Sequence, residues 1–325
     1  MLPWIFENVQ SVERDSYSQI SSTRPSTVSA KFCRNVLDGD TTALFLAKHI
    51  KRWTFSGSPV ESNWPPAFLS MYFETFRYMS NLLELSLSNI IIPRDFFRRL
   101  VGVPTLETLK IDNCSLDNIV LRKHLKQFEF LSLKHLTLAH QTPKSDIVRL
   151  LPHINLSSLI RLELDISPLL ETLPLSDGSL PLEEFYLDVA NDPLRLAEFL
   201  EKTPNLNVLR VGRFSPFIGR RLPPFTINPQ VIPRLTKIDA NWDVLEQIVP
   251  GRPISCLGLG PLSHYWDANN VKILTLSTKR IVQLKLTWYL NGAPIWTYLP
   301  DLESLEVRVS NFEGLTWGEV CFLSS

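Results

Sequence analysis

The sequence predicts an α/β solenoid: short parallel strands stacked one repeat apart, each followed by a segment that returns the chain to the start of the next strand. Three observations carry this. First, the stretch Leu106-Glu107-Thr108-Leu109-Lys110-Ile111-Asp112-Asn113-Cys114-Ser115-Leu116 alternates apolar Leu109 and Ile111 with polar Thr108, Lys110 and Asp112, the period of a strand with one buried face. Second, it fits L-x-x-L-x-L-x-x-N/C-x-L, the leucine-rich repeat, at every fixed position, with Cys114 as the small plug that turns the chain. Third, the pattern recurs. From Leu82 to Leu302 the starts are 24, 27, 26, 23, 24, 29, 19, 27 and 21 residues apart. One such unit cannot hide its own apolar face, so neighbours must cover it.

Taken in order, residues 1–42 read as an irregular lead-in, because Ser11 to Ser29 is rich in Ser and Thr and shows no helical or strand period. Asp40 is placed to cap a short helix through Lys48. The solenoid is expected over residues 43–312, in about eleven irregular repeats. Its apolar triplets run Ile50/Trp53/Phe55, Leu82/Leu85/Leu87, Leu106/Leu109/Ile111, Leu133/Leu136/Leu138, Leu159/Leu162/Leu164 and Leu182/Phe185/Leu187. They continue as Leu206/Leu209/Val211, Leu235/Ile238/Ala240, Ile254/Leu257/Leu259, Ile281/Leu284/Leu286 and Leu302/Leu305/Val307.

Helix signals fall between them. Pro65-Pro66 precedes Leu69, Tyr72, Phe73 and Phe76. Asp95 precedes Phe96, Phe97 and Leu100, and Ser145-Asp146 precedes Ile147, Leu150 and Leu151. Further on, Asp192-Pro193 precedes Leu196, Phe199 and Leu200; Asn241 or Asp243 precedes Val244, Leu245 and Ile248; and Asn269-Asn270 precedes Val271 and Leu274. A strand followed by a helical return and a parallel strand gives a right-handed horseshoe, with the sheet on the concave side and helices or irregular segments outside. The five prolines between Val211 and Leu235 argue against a helix there and predict a long loop carrying Arg213, Arg220 and Arg221. Residues 313–325 are expected to form a tail or truncated repeat.

Composition bounds the function. Lys plus Arg and Asp plus Glu are both 33, so the net charge is zero, which argues against a general nucleic-acid or anionic-membrane binder. Cys33, Cys114, Cys256 and Cys321 lie far apart and read as reduced thiols of an intracellular protein, cytoplasmic or nuclear. No apolar leader opens the chain, and the longest uncharged stretches are broken by Pro, Gly and Asn. No phosphate-loop, dinucleotide, zinc-protease or nucleophile-elbow motif occurs. His124, His135 and His140 offer only imidazoles for a metal. No cofactor, metal or catalytic set is predicted.

The predicted functional surface is therefore the concave face, which displays the residues between the buried positions. Its centre holds Arg161, Glu163, Asp165, Glu184, Tyr186 and Asp188, four carboxylates against one arginine. Arg210, Lys237 and Asp239 follow, beside the arginine loop. An acidic and a basic zone side by side suit a protein partner of mixed charge, with Tyr186 as anchor. The alternative is that any solvated sheet face carries such residues.

The opening strand Ala47-Lys48-His49-Ile50-Lys51-Arg52-Trp53-Thr54-Phe55 and the Leu-Glu-x-Leu starts at Leu106 and Leu302 resemble fungal F-box proteins. They are similar to the ribonuclease-inhibitor-like repeat arrays that follow the F-box in mushroom-type fungi. The resemblance covers residues 43–312, with the F-box itself missing or truncated and Met1-Leu2-Pro3-Trp4-Ile5-Phe6 its compressed remnant. It implies the substrate receptor of a cullin-type ubiquitin ligase, a monomer that holds a protein substrate on its repeats. A Skp-type adaptor is implied as partner if an F-box lies upstream. The alternatives are a stand-alone repeat scaffold or regulator with no ubiquitin link, and an enzyme on an unrelated fold.

Overall fold

The computed structural model describes residues 8–12, 27–57, 66–117, 120, 122–139, 146–166, 170–175, 178–190, 192–214, 227–259, 268–288, 298–309 and 318–323. The chain forms two compact units: residues 1–159 with 172–174, and residues 160–171 with 175–325.

In the first unit the order is β1 (Asn8–Val12), α1 (Thr27–Leu37), α2 (Thr41–Ala47), β2 (Arg52–Ser56), α3 (Pro66–Glu74), β3 (Glu84–Ser88) and β4 (Ile91–Ile92). It continues with α4 (Phe96–Val101), β5 (Thr108–Asp112), β6 (Ser115–Leu116), α5 (Arg122–Leu125) and β7 (His135–Ala139). Strands β1, β2, β3, β5 and β7 pair in that order, all parallel. Strands β4 and β6 make a small parallel pair of their own just beyond the turn. Register aligns the apolar positions into rows. Trp53, Leu85, Leu109 and Leu136 face one another across the sheet, as do Phe55, Leu87, Ile111 and Leu138. All eight are at most 1% exposed. Each such side chain contributes roughly 1.5–3 kcal/mol on burial, most of which offsets chain entropy.

The turn after each strand has its own chemistry. Asn89 and Asn113 adopt positive φ (53° and 46°), a conformation asparagine tolerates better than most residues. Their N–H groups donate to Asp112 and Ala139, and Asn113 Nδ2 donates to Asn89 Oδ1 at 2.7 Å. At the same point after β2 the residue is Gly57, where a Cβ would run into the Asn89 carbonyl. Cys114 sits as expected, buried, with its thiol donating to the Asp112 carbonyl at 3.2 Å.

Residues 1–42 contain more regular structure than their composition suggested. Strand β1 adds to the sheet, and α1 packs Cys33 and Val36 into the core. The helical signal is the pair Cys33/Val36 on one face, which lies beyond the Ser/Thr-rich run and is short enough to escape a periodicity reading. Gly39, at φ 83°, ends α1, and Asp40 caps α2 by accepting from Ala43 N–H at 2.7 Å. The segment after Ser145 forms a 3-10 helix, Asp146–His153, rather than an α-helix, consistent with Pro152 inside it.

The second unit runs β8 (Arg161–Ile166), β9 (Glu184–Ala190), α6 (Pro193–Glu201), β10 (Val208–Phe214), β11 (Lys237–Ala240), α7 (Trp242–Ile248), β12 (Cys256–Leu259), α8 (Ala268–Leu274), β13 (Gln283–Trp288), β14 (Ser304–Val309) and β15 (Gly318–Leu323). Strands β8 to β14 are parallel in chain order, while β15 closes the edge antiparallel to β14. Within this unit a core row runs through Leu162, Phe185, Leu209, Ile238, Leu257 and Leu284. Asp192 caps α6 by accepting from Leu194 and Arg195 N–H, whereas Asn241 precedes α7 without a side-chain cap.

The eleven strands predicted from the leucine spacing, β2, β3, β5 and β7 to β14, are all present. The fold is an α/β leucine-rich-repeat solenoid.

Candidate functional site

The buried rows turn the intervening side chains outward, so each strand presents its odd-numbered or even-numbered polar set to solvent. In the second unit this face begins with a cluster on β8 and β9. Arg161 lies opposite Glu184, and Glu163 opposite Tyr186. Arg161 places Nη2 3.3 Å from Glu163 Oε2 and Nη1 3.4 Å from Glu184 Oε2. Its guanidinium stacks 4.5 Å from the centre of the Tyr186 ring. The Tyr186 hydroxyl donates to the same Glu184 oxygen at 3.1 Å. Burial, then the Glu184 charge, pushes the Tyr186 ionisation up, so the phenol stays a donor. The ring is thereby held at both ends of its contact, with Arg161 on its face and Glu184 at its hydroxyl.

The neighbouring strands are arranged by glycine. A Cβ at Gly212 would lie 2.7 Å from Asp188 Oδ1 and collide with the Asp188 carbonyl, so the carboxylate of β9 leans across the bare backbone of β10. On β12 the same device recurs: a Cβ at Gly258 would lie 2.7 Å from Asp239 Cγ. Asp239 reaches back to Arg210, Oδ2 to Nε, at 3.7 Å. Lys237 stands exposed, and Lys285 meets Glu306 at 2.6 Å. In the first unit the face is lighter in charge. Glu84 joins Arg52 (3.4 Å) and Lys110 (2.6 Å), and Thr108 meets His135 at 3.3 Å amid Thr54, Ser86, Ser88 and Thr137.

Of the residues predicted for this face, Arg161, Glu163, Glu184 and Tyr186 come together as one cluster, Asp165 and Asp188 lie on the same two strands, and Arg210 pairs with Asp239. Arg213 lies in strand β10 and not in a loop. Arg220 and Arg221 lie outside the described residues. Sequence reasoning missed Gly212 and Gly258. Gly258 carried a signal, a glycine inside a predicted strand, which marks a close approach, whereas Gly212 fell at the start of the predicted loop and carried none. The acidic zone is also less bare than its composition implied, because Arg161 engages two of its carboxylates.

Such exposed pairs contribute roughly 0.2–1 kcal/mol each, so the cluster shapes the surface more than it holds the fold. Among the described residues no three His, Cys, Asp or Glu side chains converge on a metal position, and no helix is long and apolar enough to cross a membrane.

No family model matches the chain, and no curated protein sequence does. Solved structures do. An internalin from Listeria monocytogenes shares 16% identity over 87% of this chain and 89% of its own, with a TM-score of 0.35. A TLR13–ssRNA13 complex gives 13% identity over 83% and 38%, also at 0.35. The plant peptide hormone receptor RGFR1 bound to RGF2 gives 12% over 82% and 49%, at 0.32. The fold assignment rests on the strand pairing within each unit.

Proposed function

We propose that this chain is a non-enzymatic recognition protein that holds a protein partner on the outward face of its sheet, centred on β8 to β11. The observation that carries this reading is the Arg161–Tyr186–Glu184–Glu163 cluster. An aromatic ring fixed by a stacked guanidinium and a carboxylate is an anchor with little rotamer entropy left to lose. Around it, Asp165, Asp188 and Asp239 supply negative charge, and Arg210 and Lys237 positive charge, for a partner of mixed charge. Arg213, Arg220 and Arg221 belong to the same proposal as a basic flank.

The finer reading is a substrate receptor of a cullin-type ubiquitin ligase, a monomer inside the cell, cytoplasmic or nuclear, that reaches a Skp-type adaptor through an F-box. It is supported by the resemblance of residues 43–312. The buried, unpaired state of Cys33 and Cys114 supports the location. Affinity capture with the full chain tests both levels. Recovery of a partner that Glu184→Lys/Asp188→Lys releases supports recognition by this face, and co-recovery of an adaptor and a cullin supports the receptor. A partner retained by that variant sinks the face. A partner without adaptor favours a stand-alone scaffold.

A further inference from the structure

The helix side of the first unit carries charge of a different kind. Helices α4 and α5 pack side by side: Phe97 of α4 meets Phe128, just after α5, with ring centres 5.6 Å apart and near-perpendicular planes. Both rings are buried, so the polar residues of these turns must face out. On α4 they are Arg94 and Arg98, both well exposed, which share a single carboxylate, Asp95, at 4.0 and 3.7 Å. On α5 and the 3-10 turn that continues it (Lys126–Phe130) they are Lys123 and Lys126, both exposed and one helical turn apart. Neither lysine makes an ion pair with any described residue. At the end of the same stripe stands Phe130, 68% exposed, among the largest apolar surfaces the chain leaves in water.

We propose that this face, Arg94, Arg98, Lys123, Lys126 and Phe130, is a second docking surface, and that its partner is an acidic polypeptide segment carrying an apolar residue. Charge complementarity selects the class. Two of the four cations have no anion among the described residues, and the other two divide one, so a carboxylate-rich segment gains partners that the described residues do not supply. The exposed phenyl ring gives such a segment an apolar contact that charge alone would not require. The carboxylates on the flanking turns favour a segment over an extended anionic surface. The flanking turns carry Glu74, already on Arg99 at 2.9 Å, Glu129, on His153 at 2.7 Å, and Asp146, on Arg149 at 3.8 Å. A lipid headgroup plane laid on this side would meet those carboxylates as well as the four cations, and repulsion would offset the attraction. A single acidic strand or helix has Glu129, beside Phe130, as its nearest such carboxylate in the chain, and that one is already engaged by His153. This surface is independent of the sheet face.

The test uses the full chain and a fluorescein-labelled synthetic peptide of glutamates around one leucine, with its glutamine counterpart as control, read by anisotropy. The glutamate peptide should bind at low salt and weaken as salt rises to about 0.15 M, while the glutamine peptide should not bind. Lys123→Glu/Lys126→Glu should lower the affinity about tenfold or more, Lys123→Gln/Lys126→Gln by less, and Phe130→Ala by a few-fold. Glu184→Lys/Asp188→Lys, on the sheet face, should leave it unchanged, which separates failure here from failure of the sheet-face reading. Equal binding of both peptides, or affinity unmoved by the lysine variants, overturns the proposal. So does retention on phosphatidylserine vesicles without binding to the glutamate peptide.

Discussion

The two units are built on the same strand rule but filled differently. In the first, the space between sheet and helices is aromatic. Phe55 meets Trp53, Tyr72 and Phe73 at ring distances of 5.4 to 5.5 Å, and the chain of contacts continues through Phe73, Phe96, Phe97 and Phe128. Mostly edge-to-face pairs of this kind add about 0.5–1.5 kcal/mol each beyond the area they bury. In the second unit the described aromatic pair is Phe185 with Phe199, and apart from Trp242 the buried remainder is mostly Leu, Ile and Val.

There a buried cation does part of the tying instead. Arg252 is fully inside. Its Nε donates to Val231 O at 3.0 Å, Nη2 to Asn228 O at 2.9 Å and Ile227 O at 3.5 Å, and Nη1 to Ile248 O and Pro250 O. Burial lowers its ionisation to about 10, which still leaves it charged at neutral pH. Along the described non-helical stretch 227–236, which holds Pro229 and Pro233, backbone carbonyls are left pointing inward, and a guanidinium can satisfy several at once.

The contrast can be broken at each end. The largest effect is expected at the aromatic hub. Phe55→Ala should cost about 4–5 kcal/mol, measured by chemical denaturation, with hydrogen exchange rising across the first unit. A cost near 1 kcal/mol would mean the rings are not cooperative packing. Arg252→Met should cost about 3 kcal/mol, because the carbonyls it serves lose their donors while the cation's own desolvation is relieved. Faster exchange should be confined to residues around 227–252, and an unchanged midpoint would make the cation dispensable. Gly212→Ala should cost about 1–3 kcal/mol, since the colliding Asp188 carbonyl belongs to a paired strand.

A pH series sharpens the comparison. Burial pushes the Cys33 and Cys114 thiols, both in the first unit, up to about 12 from 9.0. A raised folded value means stability is whole below about 9 and is lost as pH rises toward 12. The first unit should therefore weaken over that window, and Cys114→Ala should flatten its part of the slope. The smallest effect belongs to the face. Glu184→Lys/Asp188→Lys should move the melting temperature by only a degree or two, because exposed pairs contribute little.

Much of this was legible in the chain. Strand positions follow from leucines such as Leu109 and Ile111 recurring at one period, because a buried row must be apolar in every repeat. Helix starts at Asp40 and Asp192 follow from capping chemistry. What was not legible depends on neighbours far apart in sequence. Arg252 reads as a loop arginine until the carbonyls of residues 227–231 and 248–250 surround it. The acidic zone reads as bare until Arg161 folds over Tyr186 and bridges Glu163 and Glu184. Strand β15 reads as a tail because nothing local announces that it will return antiparallel to β14.

The claim that matters most is that a partner sits on the face of β8 to β11. A photo-crosslinking amino acid at Tyr186 tests it, with the same group at exposed Leu194 on α6 as reference. The account predicts that a captured partner crosslinks from position 186 and not from 194. Crosslinks from 194 with none from 186 would contradict it.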